Sequence, residues 1–271
     1  LGEIYDSKKD QYYSQKSRFK YYPPDNVNKN HAAPGHFLGY RWAIQRYTQE
    51  GDLVFDPTVG TGTAIIEAIN FNRKGVGIEL EYPDIAKVNI KYQIEKFKAP
   101  GKPILIQGDA LNMERLLAKH RIHKNSVSLI LNGTLYPILK GKVSSDTHEK
   151  FFSGTNLDRI RTIEYANEKN LGTYKGEKYW NLIDKLYSNC IPYLKKGGRL
   201  IILIKDPMLN KKPYPLHVML SETILKNKEL KYDGCFLHKH IPMTLAMSTY
   251  LKRHPGVQIP LYQTGLIFKK S

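Results

Sequence analysis

Two acids bracket a glycine turn in the stretch LVFDPTVGTGTAIIEAINFNRKGVGIE, which runs from Leu53 to Glu79. Asp56-Pro57 closes an apolar run, because proline cannot donate to a strand ladder. Gly60-Thr61-Gly62-Thr63 follows, and glycines there let the backbone turn sharply and approach a ligand closely. Glu79 ends a second apolar run. At the carboxyl end of a parallel strand, an acid sits where ligands bind, and its two oxygens suit the two hydroxyls of a ribose. The dinucleotide fingerprint G-x-G-x-x-G needs a third glycine, and here Ala64 and Ile65 follow instead. The phosphate loop needs a lysine after its last glycine, and none follows Gly62. An Asp-Pro ahead of the glycines suits a ligand that carries an ammonium group. S-adenosylmethionine has that group, a ribose and no phosphate. Asp56 also fits a plainer role as a helix cap or strand end.

These residues need a frame of strands and helices to position them. The spacing predicts strands at Leu53 to Phe55, Gly75 to Ile78, Pro103 to Gln107, Val127 to Leu131 and Leu200 to Ile204. Helices are predicted over Phe37 to Gln49, Ala64 to Asn70, Glu81 to Lys98, Leu111 to Lys119, Tyr179 to Leu194 and Leu216 to Lys226, from apolar residues recurring at helical spacing. The helix after Glu79 has an imperfect apolar face of Ile85, Val88, Ile90 and Ile94. Alternation of strands and helices is the rhythm of an α/β fold with a doubly wound, mostly parallel, Rossmann-like sheet. Two late strands, near Cys235 to His240 and Gly265 to Phe268, have no full helix between them, so an antiparallel edge hairpin is expected at the C-terminus. Residues 1–30 read as a polar, tyrosine-rich arm broken by Pro23-Pro24. Residues 31–271 form the main domain, interrupted by a long polar insert at about 140–178, and connections of that length are commonly functional.

The chain has 271 residues and a formal net charge of +17, with nineteen tyrosines interleaved among its lysines and arginines. Basic side chains neutralise phosphates and aromatic rings stack on unpaired bases, so nucleic acid is the expected partner. A lysine-rich or thermophilic surface is the alternative source of such charge. No apolar run approaches the roughly 20 residues of a membrane helix, and no basic-then-apolar leader opens the chain. Cys190 and Cys235 are too few for a disulfide framework and lack metal-ligand spacing, which points to a reducing, cytoplasmic setting. His238 and His240 share one face of a strand without a second ligand pair, so no metal site is expected.

Taken in order, the motifs resemble the S-adenosylmethionine-dependent DNA amino methyltransferases of the N4-cytosine/N6-adenine type. His31-Ala32-Ala33-Pro34 looks like that family's H-P-A-P. Asp56-Pro57-Thr58-Val59-Gly60-Thr61-Gly62-Thr63 looks like its D-P-F-x-G-S-G-T. Asn72-Arg73-Lys74 through Glu79, then Tyr82 and Ile85-Ala86-Lys87, follow its next segment. Gly108-Asp109-Ala110 matches G-D-A, and Leu194 to Asp206 resembles L-K-P-G-G-r…k-D. The resemblance spans about Asn30 to Lys270 and implies the class I methyltransferase type of sheet. It implies that Asp56, Pro57 and the turn Gly60, Thr61, Gly62, Thr63 face the methionine part of the cofactor. By the same resemblance Glu79 holds the ribose and Asp109 the adenine amino group.

The catalytic segment departs from the family. Its D/N/S-P-P-Y follows the fourth strand, where a polar side chain and a backbone carbonyl meet the target amino group and the tyrosine stacks on a flipped-out base. Here the strand continues Asn132-Gly133-Thr134-Leu135-Tyr136. The tyrosine is kept; both prolines and the polar first residue are absent. The resemblance thus implies Asn132, Thr134 and Tyr136 as catalytic residues acting on DNA, with RNA as a less favoured substrate. The departure leaves a second reading, a degenerate member that binds nucleic acid as a module, homodimer or partner subunit.

Overall fold

A computed structural model describes residues 3–5, 37–133, 167–209, 212–239 and 262–271. The chain opens with a short strand, β1 (Glu3–Tyr5), and then helix α1 (Phe37–Tyr47). The glycine-turn region supplies β2 (Leu53–Asp56), α2 (Thr63–Asn70) and β3 (Lys74–Glu79). Next come α3 (Pro83–Phe97), β4 (Lys102–Gln107), a 3-10 turn over Ala110–Asn112, α4 (Met113–Lys119) and β5 (Val127–Gly133). After them follow α5 (Gly176–Cys190), β6 (Leu194–Ile204), a small ribbon of β7 (Met208–Leu209) and β8 (Lys212–Pro213), and α6 (Leu216–Ile224). Two long strands, β9 (Leu230–Lys239) and β10 (Tyr262–Lys270), complete the described elements.

The sheet order is β1-β9-β10-β6-β5-β2-β3-β4. Strands β2 to β6 pair in parallel. β10 is antiparallel to both β6 and β9, which is the C-terminal hairpin the sequence predicts. β1 adds a parallel strand outside that hairpin, from within the stretch read as a polar arm. The chain winds outward from β2 through β3 to β4, then returns to the other side of β2 as β5. The sheet therefore switches direction between β2 and β5, and in such sheets the ligand crevice lies at the carboxyl ends of those strands.

Alternate residues of the central strands bury on opposite faces. Phe55, Ile130 and Ile202 join the layer under α4, α5 and α6, with Met113, Leu117, Ile183 and Leu220. Val54, Leu129, Leu131, Ile201 and Leu203 join the other layer, with Tyr40 and Ile44 of α1 and Ala64 and Ala68 of α2. Residue by residue, the register is Val54 beside Leu129 and Phe55 beside Ile130.

Several boundaries and faces differ from expectation. α5 stops at Cys190 because Pro192 cannot continue it, and the 3-10 turn Ile191–Tyr193 follows. β6 begins at Leu194, with the Lys196-Gly197-Gly198 turn absorbed as an irregularity at Gly197, φ +74°. α3 buries Ala86, Asn89, Ile90 and Gln93, while Val88 and Ile94 are exposed. Its inner stripe is half polar because it packs against a turn whose backbone groups need partners. The proposed insert lies mostly outside the described residues, and its last part enters the turn Leu171–Thr173 and the first residues of α5. His31 to Pro34 also lie outside them.

Candidate functional site

The carboxyl ends of β2, β3, β4 and β5 bring Asp56, Glu79, Asp109 and Asn132 to one edge of the sheet. Asp56 and Asn132 meet across the switch point itself. Asn132 Nδ2 donates to Asp56 Oδ1 at 2.7 Å and to Thr58 Oγ1 at 2.8 Å. The Tyr187 hydroxyl of α5 donates to Asn132 Oδ1 at 2.7 Å. Thr58 N–H donates to Asp56 Oδ1 at 3.0 Å. Asn132 is 0% exposed, with its amide bonded to Asp56, Thr58 and Tyr187. The strand carries this side chain inward, one residue before its last, Gly133. Tyr187 lies within the helix predicted over Tyr179 to Leu194, but helical spacing alone gives no sign of where its hydroxyl ends.

Burial pushes the Asp56 carboxyl up to about 7, against the lowering effect of its bonds from Asn132 and Thr58, and the nearby Glu79 charge adds to the rise. Such a carboxyl is poised to receive a cation. Glu79 is also buried. Its Oε2 accepts from Gly60 N–H at 2.7 Å, and its Oε1 from Glu81 and Tyr82 N–H at 2.8 and 2.9 Å. A carboxylate offers about four acceptor positions, so these three bonds leave one on Oε2 open to a ribose hydroxyl. The turn brings Gly60 N–H onto Glu79 because Gly60 and Gly62 adopt φ of +55° and +94°, where glycine is unstrained. Asn89 of α3 steadies it from beneath, donating to Thr61 carbonyl at 2.8 Å. Thr61 and Thr63 are buried with their hydroxyls 3.4 Å apart, and Pro57 is buried beside Asp56. Asp109 caps the 3-10 turn after β4, accepting from Leu111 N–H at 2.9 Å.

Thr134 and Tyr136 lie outside the described residues, as do Lys16, Arg18, Lys20, Lys140 and Lys142 of the expected basic surface. At the end of β6, Asp206 accepts from His217 N–H at 3.1 Å and lies 2.6 Å from its Nδ1, tying down the start of α6. Among the described residues no cluster of His, Cys, Asp or Glu is arranged to hold a metal. His238 is buried, which lowers its pKa, while Cys190 is buried and its thiol is pushed up by desolvation. An open groove of about 560 Å³, lined in part by Arg46, Asp52, Lys195 and Arg199, lies at the opposite end of the sheet. Lys195 and Arg199 pair there with Asp52 and Asp233, so the groove is distinct from the ligand crevice.

Residues 3–87 match the family model of the N6/N4-type DNA methylases. The match is to the DNA amino methyltransferase family. It spans β1 through the first part of α3, and so takes in Asp56, the glycine turn and Glu79. Among solved structures, the chain is similar to TrmN from Thermus thermophilus, at 12% identity and a TM-score of 0.48, covering 91% of this chain and 52% of that one. It thus spans about half the length of that protein. It is also similar to an rRNA methylase from Streptococcus thermophilus, at 11% identity and 0.47, covering 88% and 99%. A TehB-like SAM-dependent methyltransferase from Corynebacterium glutamicum stands at 14% and 0.46, covering 89% and 91%. None of the curated proteins matches the chain.

S-adenosylmethionine is the cofactor that this family match supports. The residues fit it on their own chemistry. A desolvated carboxyl with a raised pKa suits its ammonium group, the open acceptor position of Glu79 suits its ribose, and an acid beyond β4 suits an amino group of its adenine. Among the described residues no helix is long and apolar enough to cross a membrane.

Proposed function

We propose that the protein is an S-adenosylmethionine-dependent methyltransferase acting on an exocyclic amino group of a base in DNA, N4 of cytosine or N6 of adenine. The observation that carries the reading is the switch-point constellation of Asp56, the turn Gly60 to Thr63, and Glu79, within the segment that matches the DNA methylase model. Asp56 receives the ammonium group, Glu79 the ribose and Asp109 the adenine. The bound cofactor supplies a methyl group on a sulfonium centre. Asn132 keeps Asp56 aimed into the crevice, and Tyr187 keeps Asn132 aimed at Asp56. By the family resemblance Thr134 and Tyr136 act on the target, with Tyr136 as the stacking platform for an extruded base. The net charge of +17 supports a nucleic-acid substrate.

The test is transfer of tritiated methyl groups to mixed genomic DNA and RNA, followed by nucleoside analysis. Label in N4-methylcytosine or N6-methyladenine supports the reading, and label confined to RNA moves the substrate. Tyr136→Ala is expected to remove most activity, since base stacking is worth about 1–3 kcal/mol. A second reading, a non-catalytic nucleic-acid-binding member, draws on the buried and fully engaged Asn132 amide. It expects DNA and cofactor binding without label in any nucleoside.

A further inference from the structure

The last residue of β5, Gly133, has no side chain, yet the space a side chain would take is filled. A Cβ built there runs into the Tyr40 hydroxyl, with Tyr40 Cζ 3.6 Å away. Tyr40 stands in the first turn of α1, whose start lies at the ligand end of the sheet. Its ring is 4% exposed and packs in the layer of Ile44, Leu129, Leu131 and Leu203. The core therefore fixes the ring while the hydroxyl occupies the side-chain position of half-buried Gly133, the last residue of β5 at the ligand end of the sheet.

We propose that the Tyr40 hydroxyl is the polar group that the end of β5 presents to the target amino group, in place of a side chain at position 133. The proposal rests on the amino methyltransferase reading above. Three observations support it. Asn132, the neighbouring polar side chain, is fully buried and engaged by Asp56, Thr58 and Tyr187. Position 133 cannot carry a side chain while Tyr40 occupies the space, which explains a glycine where a polar residue is expected. A hydroxyl has two acceptor lone pairs as well as its hydrogen, so it can receive an amino hydrogen alongside another bond. By holding one amino hydrogen it turns the nitrogen lone pair toward the methyl carbon. As the C–N bond forms, the C–S bond breaks with its electron pair left on sulfur, and the displaced proton passes to water. Tyr40 orients the amino group and does not itself take the proton.

The experiment moves the hydroxyl from α1 to β5. Gly133→Ser alone is expected to lower the melting temperature, because its Cβ collides with a ring held in the core. In Tyr40→Phe/Gly133→Ser the new Cβ faces a ring carbon at the 3.6 Å of ordinary contact, so stability returns to that of Tyr40→Phe. Tyr40→Phe is expected to lower kcat for methyl transfer about tenfold, the loss of one hydrogen bond, with cofactor affinity unchanged, and the double variant regains activity. Without cofactor, wild type is expected to bind oligonucleotides containing adenine or cytosine more tightly than counterparts lacking the exocyclic amino group, and Tyr40→Phe to bind both equally. Wild-type kcat and undiminished discrimination in Tyr40→Phe would overturn the proposal, as would a Gly133→Ser variant as stable as wild type. If wild type methylates no nucleic acid, the parent reading fails, and the oligonucleotide comparison decides the role of the hydroxyl by itself.

Discussion

Replacing Asp56 by asparagine tests the crevice most directly. The substitution keeps the shape and an acceptor for Asn132 Nδ2 and Thr58 N–H, and removes only the ionisable group. In the folded chain Asp56 titrates at about 7, against an ordinary value of 3.8, chiefly because it is buried. Between those values the unfolded chain has lost its proton while the folded chain keeps it. Stability therefore falls as pH rises from about 4 to about 7, and the full penalty is present above 7. One pH unit corresponds to about 1.4 kcal/mol, so the penalty is on the order of 4 kcal/mol. Asp56→Asn is expected to be more stable than wild type at pH 8 by up to that amount, with the difference shrinking toward zero near pH 4. Urea unfolding of both proteins from pH 4 to 8, without cofactor, measures it. The same variant loses the carboxylate that receives a cation, so its cofactor affinity falls even as its stability rises, a trade common at functional sites. In wild type, binding of a cation at Asp56 favours the ionised form, so binding releases protons at pH 6 and affinity rises through pH 7. A stability difference that is constant with pH, or that grows as pH falls, would refute the buried-carboxyl argument.

Asn132→Ala removes the bonds that its amide makes with Asp56, Thr58 and Tyr187, and is expected to lower stability by about 3 kcal/mol in urea unfolding; a change under about 1 kcal/mol would show that these bonds are not formed. Glu79→Ala removes the acceptor of three backbone N–H groups as well as the ribose contact. Calorimetry is expected to show a 10- to 100-fold loss of cofactor affinity, roughly the value of a charged hydrogen-bonding partner, and an unchanged affinity would remove Glu79 from the site. Arg41→Ala leaves the fully buried Glu67 without the guanidinium 2.8 Å away, and is expected to lower stability by about 3–5 kcal/mol in chemical denaturation. Nucleic-acid affinity is expected to fall steeply with salt, by about 0.9 in the log–log slope for each phosphate neutralised, and a salt-independent affinity would make the charge a solvated surface only.

The sequence by itself determined the sheet and its ligand edge. Apolar runs short enough to be strands, alternating with helical spacing, leave few arrangements other than a doubly wound sheet. Asp56, Gly60, Gly62 and Glu79 were legible because each ends a strand or turns the chain, and such positions are set by local backbone geometry. The late hairpin followed from the lack of a helix between two strands. The polar stripe of α3 was not legible, because Asn89 and Gln93 are buried for the sake of groups far away in the chain, Thr61 carbonyl and the Asn70 side chain. The partners of Asn132 were hidden for the same reason. Only the tertiary structure showed Tyr187 and Asp56 closing on it from 55 and 76 residues away. The glycine at 133 looked like a lost function in the sequence. In the fold it is the space a helix-borne hydroxyl needs, since steric exclusion between distant segments leaves no mark in local spacing.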